Sequence, residues 1–98
     1  MAIRVECDLP AYAGKVWVDF RETGWKFKDR RTILETTSDL VALNMIVGYV
    51  EAWQIPDTSF VAGGGIELLD EADDDIVGWL VRAWFEARGK RSGLPKNF

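Results

Sequence analysis

Asp70, Glu71, Asp73, Asp74 and Asp75 are the densest run of oxygen ligands in the chain, and calcium binding is the chemistry such a run could do. An EF-hand loop needs oxygen ligands at alternating positions, a turn glycine at the sixth and a bidentate glutamate at the twelfth. Counted from Asp70, the sixth position is Asp75 and the twelfth is Val81. The run reads instead as a helix start, where carboxylates meet the positive end of the macrodipole, and as an acidic patch that a basic partner could recognise. Cys7 is the sole thiol, and the chain has no His to act as its base or as a zinc co-ligand. It reads as a small buried side chain. Gly63-Gly64-Gly65 lacks the Lys-Ser/Thr of a phosphate-binding loop and reads as a flexible connection. Lys26, Lys28, Arg30 and Arg31, beside Trp25 and Phe27, have the basic and aromatic mix of single-strand binders. Asp29 interrupts them and the net charge is −4, so they read as a solvated helix face and not as a nucleic-acid site. Without His, and without carboxylates paired in a concave setting, no catalytic, metal or cofactor site is expected.

The elements that must position these groups follow from composition and period. A length of 98 residues, 48% of them hydrophobic, suits one domain with a modest core. Five Trp, five Phe and two Tyr enlarge that core, each ring burying roughly 150–250 Å². A lone cysteine, no signal-peptide pattern and no apolar run of membrane-spanning length point to folding in a cytosol. Ile3 and Val5 alternate with Arg4 and Glu6, and Val16, Val18 and Phe20 alternate with Trp17 and Asp19, so an N-terminal β-hairpin is predicted around Asp8–Gly14. From Lys26 the period turns helical, with a boundary at Thr36–Asp39, whose side chains can cap backbone donors. Leu40, Leu43, Ile46, Val47, Val50 and Trp53 then follow helical spacing, which predicts a long central helix stopped by Pro56.

Asp57–Gly65 is expected to be a mobile loop and Ile66–Leu69 a short extended segment. A last helix over Leu69–Arg88, with the acids at its start and Gly89 just beyond its end, completes the domain. The fold class is thus α+β, mainly α: a small N-terminal hairpin followed by two or three packed helices, as one globular domain over residues 1–89 with a loose tail over 90–98. Trp79, Val81 and Phe85 widen the apolar sector of the last helix, and Trp53 and Phe60 stand beside the mobile loop. These five residues are the expected partner-binding surface.

The strand Val16-Trp17-Val18-Asp19-Phe20-Arg21-Glu22, the helix start Lys28-Asp29-Arg30-Arg31, the segment Val50-Glu51-Ala52-Trp53-Gln54-Ile55-Pro56-Asp57 and the acidic lead into a final helix resemble the tail assembly chaperones of long-tailed bacteriophages. The hairpin-like first fifteen residues depart from that layout. What the resemblance implies is a small, mostly helical, non-enzymatic protein that binds the tape measure protein and helps recruit tail tube subunits. It also implies self-association, action in the host cytoplasm and absence from the mature virion. Members of the family are often made in short and long forms by a ribosomal frameshift, and Gly89-Lys90 lies where such a shift would fall. Neither nucleic acid nor a membrane is an expected partner. The alternatives are a small structural virion protein, at the head-to-tail connection or on the tube, and a phage regulator that binds a host protein through the acidic helix start.

Overall fold

The computed structural model describes residues 2–92. The alternating N-terminal segments form β1 (Ile3–Glu6) and β2 (Trp17–Phe20), joined through a turn-rich loop and paired antiparallel with Val5 opposite Val18. The hairpin is not complete in itself. A third strand, β3 (Val50–Gln54), pairs antiparallel with β2 to give a sheet of order β1-β2-β3.

The segment assigned by its spacing to the end of the central helix is therefore a strand. Val50 lies opposite Phe20 and Trp53 opposite Val18, with a register shift between Asp19 and Phe20. In a regular strand, residues separated by three positions face opposite sides of the sheet. The bulge inserts one residue and lets Val50 and Trp53 both turn inward, where both are buried.

Two helices lie between β2 and β3 in the chain, and a third follows β3. The first, α1 (Phe27–Glu35), stops at the expected boundary, and α2 (Asp39–Val47) begins there, with Ser38 Oγ accepting the Val41 N–H. Gly48 closes α2, and Tyr49 leads directly into β3. Ile66–Leu69 is a short 3-10 helix rather than an extended segment. The last helix, α3 (Asp74–Ser92), starts later and ends later than its sequence pattern predicts. Asp73 caps it, with its carboxylate accepting the Asp75 N–H at 2.8 Å. Gly89 lies inside the helix, and Lys90 and Arg91 form a basic last turn suited to the macrodipole. Of the expected loose tail, residues 90–92 are helical and 93–98 lie outside the described residues.

The core lies between the inner face of the sheet and the helices. Val5, Val18, Phe20 and Trp53 from the sheet meet Ile46 of α2 and Ile76, Trp79, Leu80 and Trp84 of α3 in one buried cluster. Cys7 belongs to the same cluster and is buried, as its lack of chemical partners suggests. Two polar contacts fix α3 across the hairpin loop: Tyr12 donates its hydroxyl to Asp73, and Arg82 pairs with Asp8 at 3.0 Å. The fold is α+β and mainly helical, as the sequence predicts.

Candidate functional site

Apolar side chains at the edge of the core, some buried and some exposed, collect between α2, the 3-10 helix and the first half of α3. Leu40 and Leu43 of α2 face Val77 and Val81 of α3 across a groove of about 730 Å³, with Ile66 and Leu69 also in its lining. Leu40 is 62% exposed, a large cost in water for a leucine that none of the described elements covers. Gly78 lies between Val77 and Val81 in sequence and also lines the groove, and a Cβ placed on it would meet nothing within 4 Å. The lack of a side chain there deepens the groove without any demand from the backbone.

The rim is acidic. Asp39 comes from the start of α2, Asp70 from the turn after the 3-10 helix and Asp74 from the start of α3. Their positions follow from helix physics, since carboxylates stabilise helix N-termini. The two helix starts and the connecting turn come to one opening, so local preferences add up to one charged edge.

Of the five residues expected to meet a partner, the groove takes one, Val81. Phe85 is one helical turn further along α3, 37% exposed, with its ring edge-on to Trp84 at 5.0 Å. Trp79 is a correction: it is 1% exposed and belongs to the core, because the stripe it occupies with Ile76, Leu80 and Ala83 faces the sheet. Trp53 is a second correction, buried in the sheet with its indole N–H donated to the Thr58 carbonyl at 2.9 Å. Phe60 is half-buried and packs edge-on against Trp53 at 5.1 Å. These contacts also pin the first part of the loop expected to be mobile, where Thr58 is buried and bridges back to Ile55.

Sequence reading missed Leu40, Leu43, Ile66, Leu69, Val77 and Gly78 as a group. Leu40 and Leu43 fit the apolar stripe of α2, and only the packing of α2 beside α3 and the 3-10 helix shows that Leu40 stays exposed while Leu43 and Leu69 are buried at the groove floor. The polar side chains lining the groove are the carboxylates of Asp39, Asp70 and Asp74. Its chemistry is desolvation of an apolar surface combined with attraction for cations at the rim.

Among the described residues, no helix is long and apolar enough to cross a membrane. No protein-family model, curated protein or solved structure matches the chain.

Proposed function

We propose that this chain is a non-enzymatic tail assembly chaperone of a long-tailed bacteriophage that holds helical segments of the tape measure protein in the groove between α2 and α3. The observation that carries this is the apolar lining of exposed Leu40 and half-buried Val77 and Val81 beneath the rim of Asp39, Asp70 and Asp74. An amphipathic helix binds such a surface through apolar anchors at helical spacing, and the acidic rim favours one whose stripe is flanked by Lys or Arg. A long, helical, aggregation-prone client presents such stripes repeatedly. The order of sequence motifs supports the same reading. Tail tube protein and further copies of the chain are secondary partners, and the complex belongs to the host cytoplasm during assembly and not to the finished particle.

Co-expression with the tape measure protein of the same genome tests the proposal. The wild-type chain is expected to bring the client into solution and to co-purify with it. Gly78→Leu is expected to fold, since its Cβ meets no neighbour, and to lose the client because the added side chain occupies the groove. Gly78→Ala is expected to keep the client. An insoluble client beside soluble wild-type protein, or a Gly78→Leu variant that binds like wild type, defeats the proposal. Recovery of the chain in purified virions favours a structural component instead.

A further inference from the structure

A second concavity, of about 250 Å³, lies where the start of α1 meets the last turns of α3. Lys26 and Arg30 line it from the α1 side, Arg88 and Arg91 from α3, and Trp25 and Trp84 are among its aromatic lining. Guanidinium, ammonium and indole groups are donors without an acceptor, so the polar side chains here all ask for the same kind of partner. Among the described residues no carboxylate lines the pocket, and the salt bridges are elsewhere, at Arg4–Asp19, Arg82–Asp8 and Lys90–Glu86. Asp29, the acid on the adjoining turn, accepts the Tyr49 hydroxyl at 2.6 Å.

The cations crowd one another and the aromatic rings beside them. The Arg88 guanidinium is held below its ordinary value, first by desolvation and then by Arg30 and Arg91. The Trp84 indole N–H is buried without an acceptor. Aromatic faces collect beside the cations: the Arg91 guanidinium is 5.4 Å from the Trp25 ring and that of Arg30 is 5.1 Å from the Phe27 ring. Phe27 also lines the pocket and is 63% exposed.

We propose that this pocket binds a phosphate monoester carried on a planar ring. A phosphate monoester is close to a dianion at neutral pH and presents oxygens that match the forked donors of arginine. The planar ring is needed to cover Phe27, whose exposed face would otherwise stay wet. A volume below the roughly 300–1,000 Å³ of drug-sized sites suits one ring with its phosphate. A polynucleotide would need a longer cationic track than this pocket supplies.

The full chain titrated with phenyl phosphate, inorganic phosphate and phenol, followed by tryptophan fluorescence and by the NMR signals of the indole N–H groups, tests the proposal. Phenyl phosphate is expected to bind saturably and more tightly than inorganic phosphate, and phenol not at all. Arg88→Gln is expected to weaken phenyl phosphate binding by about tenfold or more, while the ligand-free variant melts at or above the wild-type temperature because a repulsive charge is gone. Arg82→Gln, outside the pocket, is expected to bind as wild type does. The proposal is overturned by the absence of saturation at low salt, by unchanged binding in Arg88→Gln, or by equal affinity for the ring-bearing and ring-free phosphates. It is also overturned if a single-stranded oligonucleotide binds more tightly through the same arginines. The groove takes no part in these measurements, so their outcome is independent of the chaperone test.

Discussion

Asp73 and Tyr12 together set how the domain responds to acid. The Tyr12 hydroxyl donates to Asp73 at 2.5 Å and the Asp75 N–H donates to the same carboxylate, which holds it below its ordinary value of 3.8. A carboxylate depressed in the folded state stabilises the fold above its unfolded value, and that contribution is lost as pH falls through the folded value. Tyr12 and Tyr49 have the opposite sign: both are raised from 10.0, Tyr12 chiefly by its bond to Asp73 and Tyr49 chiefly by burial and then by Asp29. Their contribution is complete below pH 10.0 and is lost as pH rises beyond it. Thermal melting across pH should therefore show Tyr12→Phe with a shallower loss of stability below pH 3.8 than wild type, and Tyr49→Phe with a shallower loss above pH 10.0. Melting curves that stay parallel at both extremes would contradict these assignments. At this scale, sequence alone identified Asp73 as part of a helix start. It could not supply Tyr12, which reaches Asp73 only because the hairpin loop is folded against α3.

The element that sequence reading misassigned is β3, and the reason is physical. Val50 and Trp53 are three residues apart, a spacing that places both on one face of a helix and on opposite faces of a regular strand. A bulge removes the contradiction, and a bulge depends on pairing with β2, so no local pattern announces it. The paired strands β1 and β2 were legible because their alternation is regular, and the break between α1 and α2 because Ser38 and its neighbours can cap a helix. Deleting Glu51 removes the inserted residue and leaves Val50 and Trp53 two positions apart, on one face of a regular strand, so both stay inward. The expected loss is under about 1 kcal/mol, read by chemical denaturation. A loss on the order of 3–5 kcal/mol, that of truncating a buried aromatic residue, would mean that Glu51 is not merely the bulged residue. Helix boundaries were off for a related reason: Gly89 looks like a terminus in sequence, but the last turn of α3 runs on through Lys90 and Arg91.

At the scale of the whole molecule, α3 organises everything else. Its inner stripe fills the core, its first half forms one wall of the acid-rimmed groove, and its last turns complete the cationic pocket. The division between inner and outer residues can be tested directly. Trp79→Ala should cost about 3–5 kcal/mol, a large part of a small domain's usual margin, whereas Phe85→Ala should cost under about 1 kcal/mol. Denaturant unfolding of both variants checks the contrast, and similar losses would refute it. Sequence showed an apolar sector too wide for one buried face on this helix, which was right. Which residues belonged to which face required the sheet, whose third strand was hidden.

The contact between Lys90 and β1 guards one edge of the sheet. In the pairing of β1 with β2, Arg4 turns its carbonyl away from β2, toward the open side of the sheet, and the Lys90 ammonium donates to it at 3.2 Å. An extended segment from a neighbouring chain that tried to continue the sheet at this edge would have to displace a charged side chain and then leave it beside the new backbone. Strand addition is thereby obstructed at β1 and not at β3, the other edge of the sheet, so the two edges differ in what they offer an extended segment.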